Sequence, residues 1–421
     1  MPVQLKGKTA LVLAGGGLTG AVYEIGALRA IDDLLVDRTV NDFDIYVGTS
    51  AGALVGTFLA NGLSPEDMMR TIAGTNPDVP PIERQHIFGI NRHDLWTWGM
   101  RLPGKLATAG YHYLRNLNDM TLFDLLWSLT EAMPAGLYDG LALEDYLYHA
   151  LASLGQHNDF NELKRDLYVI ATDLDSGERV VFGKGFDSDT PISMAVAASS
   201  ALPLVYKPVR IGNKEYVDGG LRGTASLDLA VEQGATLVVC INPLVPFDNE
   251  GRDASPVHSK KGGYLSEKGI QSIANQSLRI FSHAGLHYHI KQLRRSHPEV
   301  DIILIEPRSA DYQMFLYNIM HYSARLMVAR HGFESVTLDL AVDYAYYKQV
   351  LARHGIPMNR RLVIQEMTEI VESDYDPQVI RRVMEARSAG CGQRRQDTPI
   401  CRLNRALAEL DLALDELAEK V

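Results

Sequence analysis

Apolar and polar stretches alternate along the first part of the chain in the order expected of strands followed by helices. An apolar run at about 8–14 predicts a buried strand, and residues about 20–36 are predicted to form a helix. The same order returns with a strand at about 43–48 and a helix at about 50–61. This alternation predicts a parallel sheet that is covered by helices.

Residues about 64–140 interrupt the alternation, and we interpret them as an insertion. Prolines separate its short helical stretches: Pro65, Pro77, Pro80, Pro81, Pro103 and Pro134. The sheet then resumes, with strands predicted at about 167–171, 180–182, 236–241 and 302–305 and a helix at about 225–233. We therefore predict an α/β domain over 1–310 and a mainly helical region over 311–421.

The last segment carries one apolar stripe. Its members recur at alternating intervals of four and three residues: Leu403, Leu407, Leu410, Leu414, Leu417 and Val421. This spacing is typical of an amphipathic helix. The helix over 403–421 either docks onto the chain's own body or joins the subunits of a homo-oligomer, and the sequence leaves both open.

One uncharged stretch has the length of a membrane span, since no charged residue lies between Asp44 and Glu66. Polar residues interrupt it, and a strand-like run at 45–47 gives way to a helix-like run at 51–60. We interpret the stretch as a buried strand–turn–helix unit.

The composition is that of a globular protein of 421 residues, with 46% apolar residues and a net charge of −11. This acidic balance argues against sequence-independent binding of nucleic acid, because phosphates would be repelled. Three widely spaced cysteines (Cys240, Cys391 and Cys401) predict neither disulfides nor a zinc site. No signal peptide is expected, because a strand-like run begins at Thr9, so we predict a cytoplasmic location.

Gly48-Thr49-Ser50-Ala51-Gly52 matches the pattern GxSxG and lies between an apolar strand and a helix. In that context small residues permit a sharp turn that projects the Ser50 hydroxyl at the top of the sheet. Ser50 is therefore the candidate nucleophile. The alternative is a serine in a tight turn without chemistry.

Attack by a serine on a carbonyl creates an oxyanion that needs hydrogen-bond donors. Gly15, Gly16 and Gly17 follow the first strand, and residues without Cβ atoms allow several backbone N–H groups to point at one anion. This loop is the candidate oxyanion hole.

The same loop also matches GxGxxG through Gly15, Gly17 and Gly20, which is typical of dinucleotide binding. That alternative expects an acidic residue at the end of the second strand, where this chain has Gly-Thr-Ser, and Asp37 lies at a helix end instead. A nucleotide-binding oxidoreductase is therefore the less favoured alternative.

The base for Ser50 has two candidate types. An α/β-hydrolase would supply a histidine, and several lie downstream: His283, His287, His289, His321, His331 and His354. None of them lies in a distinctive loop. His283, His287 and His289 also lack a Cys, Asp or Glu at ligand spacing, so we interpret them as surface or packing residues and predict no metal site.

The second candidate is Asp218, which precedes Gly219 and Gly220 and follows Tyr216 and Val217, a pair that we interpret as a strand edge. Two glycines after an acid permit a close approach of the backbone, and the carboxylate could take the Ser50 proton directly if burial raised its pKa. An ordinary Asp-Gly turn is the alternative.

The glycine loop, GxSxG and Asp-Gly-Gly, in this order, resemble the patatin-like phospholipase family. The intervening sequence is similar as well, at 171–177, at 195–203 (AVAASSALP) and at 216–220. The resemblance covers about residues 8–245 and implies a three-layer α/β/α sandwich with a mostly parallel central sheet.

The resemblance also implies a Ser–Asp dyad that works without histidine. Ser50 would be the nucleophile and Asp218 the base; the supporting glycines would be Gly15, Gly16 and Gly17 in the oxyanion loop and Gly48, Gly52, Gly219 and Gly220 in the turns. The implied reaction is hydrolysis of a lipid ester through an acyl-enzyme, with no metal or organic cofactor.

One position departs from the family pattern. The family's loop usually carries Arg or Lys where this chain has Thr19. Lys207 or Arg222 is a candidate source of the missing positive charge.

The segment 84–115 differs from the rest of the chain in charge. It holds five Lys and Arg against one acid, a local balance of +4, together with Trp96 and Trp98. Basic and aromatic residues suit a membrane interface, so the segment either touches a lipid surface transiently or folds as a loop onto the core.

Taken together, these features predict a serine acyl hydrolase of lipid esters. A catalytically inert lipid-binding relative is a further alternative beside the oxidoreductase.

Overall fold

A mixed sheet forms the centre of the protein in the computed structural model, which describes residues 7–90, 92–115, 121, 133–248, 264–309, 311, 314, 320 and 322–386. The strands within these ranges are Lys8–Leu13 (β1), Ile45–Thr49 (β2), Asp166–Asp173 (β3), Arg179–Gly183 (β4), Val209–Ile211 (β5), Lys214–Asp218 (β6), Ala235–Ile241 (β7) and Asp301–Ile305 (β8). Pairing runs in the order β5-β6-β3-β2-β1-β7-β8, and β4 pairs with β3.

The helices in the first two thirds of the described chain are Gly17–Leu34 (α1), Ala51–Ala60 (α2), Pro65–Ala73 (α3), Arg84–Ile87 (α4), Arg92–Arg115 (α5), Leu141–Ser153 (α6), Ile192–Ser199 (α7) and Leu227–Glu232 (α8). The later helices are Ile270–Ser296 (α9), Arg325–Val342 (α10), Tyr344–Arg353 (α11), Arg361–Glu372 (α12) and Pro377–Glu385 (α13). In the described part of the chain, none of the helices combines the length and the apolar character that a membrane span requires.

Helices cover both faces of the sheet because the central strands are apolar on both sides. Leu11 and Leu13 of β1 lie in a hydrophobic cluster with residues of α1, α2, α7 and α10. Ala10 and Val12, which point to the opposite face, lie in a second cluster with residues of α8 and α9. The predicted three-layer α/β/α sandwich is confirmed, and β1, β2, β3, β7 and β8 are its parallel strands.

Strand β3 has two neighbours on one of its edges. Residues 168–170 pair with both β2 and β4, and residues 171–172 pair with both β4 and β6, so β2 and β6 must share the edge opposite β4. On that edge β2 runs parallel to β3 and β6 runs antiparallel. The carboxyl ends of β2 and β6 therefore face each other.

The strands and helices predicted from apolar runs agree with the structure to within a few residues. The membrane-length stretch is β2 followed by α2, as predicted. The short strand β5 was missed, and β6 was expected only as a strand edge, because the first residues of β6 are exposed and carry no apolar run. The predicted helix over 403–421, Cys391, Cys401 and His321 lie outside the described residues.

The C-terminal helices pack directly on α1. A Cβ atom at Gly26 in α1 would lie 2.0 Å from the carbonyl oxygen of Ala329 in α10, and one at Gly332 would lie 2.5 Å from that of Tyr23. The backbones of the two helices thus touch. The division at residue 310 remains a proposal, since α10 shares one hydrophobic cluster with the sheet.

A buried ion cluster also fastens these helices to α1. The guanidinium of Arg29 pairs with Asp33 in the same helix and with Glu366 of α12 at 3.1 Å, and it lies 3.8 Å from Glu66 of α3. It also donates to the carbonyl of Val383 in α13 at 3.2 Å. One buried cation therefore contacts three acidic side chains and three other helical segments.

Replacing Arg29 by Met is expected to lower the free energy of unfolding by about 3–5 kcal/mol, because buried carboxyl groups lose their cation. Arg382→Met is the matched control, since Arg382 joins α13 to Glu369 of α12 through an exposed pair and should cost less than about 1 kcal/mol. Urea denaturation of both variants measures the difference. Equal losses of unfolding free energy in the two variants would mean that the Arg29 cluster does not hold the C-terminal helices on α1.

Candidate active site

Ser50 lies in the turn between β2 and α2, and its backbone adopts a conformation that is rare outside glycine. Its φ is 54° and its ψ is −119°. The Ser50 N–H donates to Oγ of Ser199 at 2.8 Å, and Ser199 Oγ donates to the carbonyl of Ile170 at 2.5 Å. Backbone strain persists only where neighbouring contacts hold it, and α7 and β3 supply those contacts here.

The glycines on either side of Ser50 are required by close packing. A Cβ atom at Gly52 would lie 2.3 Å from the carbonyl oxygen of Leu13, and one at Gly48 would lie 2.5 Å from Cα of Ala53. Both separations are too short for any side chain. The sharp turn that the sequence predicted therefore depends on both glycines.

Asp218 ends β6 and points at Ser50. The Ser50 hydroxyl donates to Asp218 Oδ2 at 2.6 Å, and the other carboxylate oxygen accepts from the N–H of Gly220 at 2.8 Å. The two side chains are buried, with residues 6% and 5% exposed. The next residue, Gly219, leaves no room for a side chain, because a Cβ atom would lie 2.3 Å from the carbonyl oxygen of Ile170.

Burial changes the acidity of Asp218. Loss of solvent around the charged form raises its pKa from 3.8 to about 6, although the hydrogen bonds from Ser50 and Gly220 oppose this rise. A carboxylate with this pKa is a better proton acceptor than an exposed one and is still ionised at neutral pH.

The glycine loop lies beside Ser50, at the start of α1. A Cβ atom at Gly15 would lie 3.5 Å from Cβ of Ser50. The N–H of Gly15, however, donates to the carbonyl of Thr224 at 3.0 Å, whereas no carbonyl in the described residues accepts from the N–H groups of Gly16 and Gly17. Gly16 and Gly17 therefore remain as the candidate oxyanion donors. Both lie at the positive end of the α1 helix dipole.

An apolar pocket opens next to Ser50. Its space of about 530 Å³ includes open solvent at the mouth, and it lies between α1, α2 and the segments around 82–87 and 200–206. Its apolar lining includes Leu18, Leu54, Ile87 and Leu143. A second apolar pocket shares Leu18 and Leu54 with it, so apolar walls continue from the serine into the space beside α3.

The family model described as patatin-like phospholipase matches residues 11–231, more than half of the chain. The match contains the glycine loop, Ser50 and Asp218. The chain belongs to the patatin-like phospholipase family. The resemblance inferred from the motifs is thereby confirmed.

Two curated relatives align with about half of the chain. "Probable lipid hydrolase 463L" of Invertebrate iridescent virus 6 is 21% identical over 222 residues, which are 53% of this chain and 63% of the relative. "Uncharacterized protein YqhO" of Bacillus subtilis (strain 168) is 24% identical over 220 residues, 50% of this chain and 62% of the relative. The chain therefore spans less than two thirds of the length of these relatives.

Solved structures with some similarity include VipD from Legionella pneumophila, with a TM-score of 0.33, 15% identity and coverage of 99% of this chain and 77% of that chain. The type III effector protein ExoU has a TM-score of 0.33 and 13% identity, with coverage of 95% and 68%. Membership of the patatin-like phospholipase family rests on the match over 11–231.

Thr19 stands where the patatin-like family usually has a cation, and it is buried in α1. Of the two candidate replacements, Arg222 is more than half exposed and pairs with Glu178 at 3.5 Å. The other candidate, Lys207, is held through its backbone, whose N–H donates to the carbonyl of Tyr138 at 3.0 Å. The family's charged position in the loop is thus filled by a small neutral side chain.

The downstream histidines bind acidic groups away from Ser50. In the described residues, His331 pairs with Asp311, His354 with Asp301, His289 with Asp228, and both His283 and His287 with Glu306. The described hydrogen-bond partner of the Ser50 hydroxyl is Asp218. In the described residues, the Ser50 hydroxyl thus has a carboxylate partner rather than a histidine partner.

Two residues that shape the site were not identified from the sequence. Ser199 holds the Ser50 N–H, and Thr224 accepts from Gly15. Ser199 lies in the segment AVAASSALP that carries part of the resemblance, but nothing distinguishes it from its neighbours there. Thr224 acts through its backbone carbonyl, for which no residue type is diagnostic.

Replacing Asp218 by Asn is expected to stabilise the folded chain at neutral pH. Because folding raises the pKa from 3.8 to about 6, the folded state binds the proton more tightly, and stability falls as the pH rises between these values. Above this window the ionised buried group costs about 3 kcal/mol, which an amide avoids. We expect a gain of about 2 kcal/mol at pH 8 and little gain at pH 4, measured by urea denaturation.

Asp173→Asn is the control for this measurement. The hydrogen bond from Lys214 lowers the pKa of Asp173, so its replacement should not stabilise the protein at pH 8. A gain for Asp218→Asn that does not exceed that of Asp173→Asn, or that is equal at both pH values, would contradict the raised pKa.

Proposed function

We propose that the chain hydrolyses lipid esters with Ser50 as nucleophile and Asp218 as base. The observation that carries the proposal is the 2.6 Å hydrogen bond from the Ser50 hydroxyl to a buried carboxylate, at a strained strand–helix turn. Membership of the patatin-like phospholipase family and the lipid hydrolase name of the viral relative support it.

In the first half of the proposed reaction, Ser50 Oγ attacks the ester carbonyl carbon while its proton passes to Oδ2 of Asp218. The carbonyl oxygen becomes an oxyanion, for which the N–H groups of Gly16 and Gly17 are the proposed donors. The intermediate then collapses, the ester C–O bond breaks, and the departing alcohol takes the proton from Asp218. An acyl-enzyme remains on Ser50.

In the second half, water attacks the acyl carbon and gives its proton to Asp218. Collapse of the second oxyanion releases a fatty acid, and the proton returns to Ser50 Oγ. The two steps balance without a metal ion or an organic cofactor. Asp218 must be ionised at the start of each half, so protonation of this group stops both.

The pocket supports a lipid ester as the substrate class. Its apolar lining beside Ser50 suits an acyl chain, and burial of each methylene contributes about 0.8 kcal/mol to binding. The second apolar pocket behind Leu18 and Leu54 would accept the far end of a longer chain. We therefore place the acyl group, rather than the alcohol part of the ester, between α1 and α2.

Two other functions remain to be distinguished by experiment. A nucleotide-binding oxidoreductase would use Gly15, Gly17 and Gly20, but the family match includes this loop and favours hydrolysis. A catalytically inert lipid-binding relative would keep the pocket without the chemistry. The hydrogen bond between Ser50 and Asp218 argues against the inert alternative, because a binding protein does not need it.

A fluorophosphonate probe tests the nucleophile directly, because it labels serines activated by a base. We expect labelling of the purified chain, no labelling of Ser50→Ala, and normal labelling of Ser176→Ala, an exposed serine in the turn between β3 and β4. Hydrolysis of a phospholipid and neutral-lipid panel should fall on the order of 10⁴-fold or more in Ser50→Ala. A folded chain that takes no label would overturn the proposal.

The pH profile tests the base. Because the ionised form of Asp218 acts and its pKa is raised to about 6, kcat/KM should fall as the pH drops through that value. Asp218→Asn should lower kcat about 10²–10⁴-fold, and its kcat/KM should no longer fall as the pH drops through this value. Full activity of this variant, together with loss of activity on replacing His331 or His354, would favour a histidine base instead.

We further propose that α5 touches the lipid surface. Trp96, Met100 and Tyr111 are 65%, 60% and 62% exposed and lie within about 60° of each other around the helix. Exposed apolar side chains that are grouped on one face are a candidate contact with a lipid or protein surface. Their position in the basic segment 84–115 suits transient docking by a chain that is acidic elsewhere.

Replacing Trp96, Met100 and Tyr111 together by Ala should lower co-sedimentation with phosphatidylcholine vesicles about tenfold, because the apolar contact with the interface is lost. Leu338→Ala with Val342→Ala is the control, since these side chains of α10 are 54% and 72% exposed outside the segment. Equal binding by the wild-type chain and the triple variant would exclude the docking role of α5.

A further inference from the structure

His283 and His287 lie one turn apart on the same face of α9, and Glu306 follows the end of β8 beside them. Nε2 of His287 lies 2.8 Å, and Nε2 of His283 lies 3.6 Å, from the same carboxylate oxygen of Glu306. The centroids of the two imidazole rings are 4.1 Å apart. One possible ligand atom from each of the three side chains lies within 4.8 Å of the others.

The sequence predicted no metal site here, because no acid lies at ligand spacing along the chain, but the fold brings Glu306 to the two histidines. We propose that His283, His287 and Glu306 bind one divalent cation of the zinc class. Two imidazoles and one carboxylate are a donor set that zinc uses when a further position is left to water. Histidines at positions i and i+4 of a helix present both imidazoles on one face. Mg²⁺ and Ca²⁺ prefer oxygen ligands throughout, so this donor set selects Zn²⁺, Co²⁺ or Ni²⁺ over them.

Only a small movement would admit the ion. Zinc binds imidazole nitrogen and carboxylate oxygen at about 2.0–2.2 Å, and a tetrahedral arrangement then separates neighbouring ligand atoms by about 3.4 Å. The observed separations of 2.8 Å and 3.6 Å lie on either side of that value. His287 is about half exposed, which gives the ion a path of entry and leaves space for a water ligand.

Glu306 is held in position by a neighbouring side chain. Its second oxygen, Oε1, accepts from Nδ2 of Asn242 at 2.7 Å, and Oδ1 of Asn242 accepts from the N–H of Leu244 at 3.1 Å. Partners of this kind orient a metal ligand and increase the affinity of the site. The carboxylate is therefore oriented before an ion arrives.

The location suits a structural role for the ion rather than a part in the proposed chemical steps. Asn242 and Glu306 follow β7 and β8, and Pro243 packs on the oxyanion loop, with its Cγ 2.5 Å from where a Cβ atom at Gly16 would lie. An ion that joins α9 to Glu306 would brace the segment next to that loop. Binding to the folded state alone also stabilises it in proportion to ion concentration.

Zinc titration of the full chain, stripped with EDTA and desalted, tests the site by isothermal titration calorimetry. We expect one ion per chain, with affinity lowered about 100-fold or more in His283→Ala and His287→Ala, and about 10–100-fold in Asn242→Ala. His289→Ala is the matched control, because His289 lies on the same helix but faces Asp228, and it should bind zinc normally. Thermal unfolding should shift upward with zinc in the wild type and not in His287→Ala.

A wild-type chain that binds no stoichiometric zinc, or a His287→Ala chain that binds as tightly as the wild type, overturns the proposal. Loss of binding in His289→Ala alone would place the ion elsewhere and overturns it too. Ser50→Ala is expected to bind zinc like the wild type. A failure of the metal site and a failure of the proposed hydrolase activity are therefore distinguishable.

Discussion

The candidate active site depends on how two strands share one edge of β3. β2 occupies the first part of that edge in the parallel direction, and β6 occupies the last part in the antiparallel direction, so their carboxyl ends meet. Ser50 follows the carboxyl end of β2, and Asp218 is the last residue of β6. Because both positions are held by sheet hydrogen bonds, the distance between the two side chains is set by the backbone rather than by flexible loops.

This arrangement has an energetic cost that the rest of the fold offsets. Asp218 is a buried carboxylate whose ionised form lacks solvent, and Ser50 has a strained backbone. The C-terminal helices contribute to the compensation, since α10 packs against α1 and Arg29 joins α1 to α12 and α13. They thereby hold the helix whose first turn carries the glycine loop.

Local sequence patterns were sufficient for the elements that hold Ser50. Three features each act over only a few neighbouring positions: the apolar runs of β1 and β2, the small residues of GxSxG and the three loop glycines. Such local features can be recognised from periodicity and side-chain size in the sequence. β5 and part of β6 escaped this reasoning, because their exposed residues carry no apolar pattern and their strand form depends on pairing with a partner.

The sequence alone thus determined the sandwich, the turn at Ser50 and the family, because these follow from short-range patterns and shared motifs. The family motifs also paired Asp218 with Ser50, but only the tertiary structure shows the hydrogen bond between them. The tertiary structure alone turned the Gly15 N–H to Thr224 and brought Glu306 to His283 and His287. Spacing along the chain carries no information about such contacts, since strand register and helix packing fix them in space.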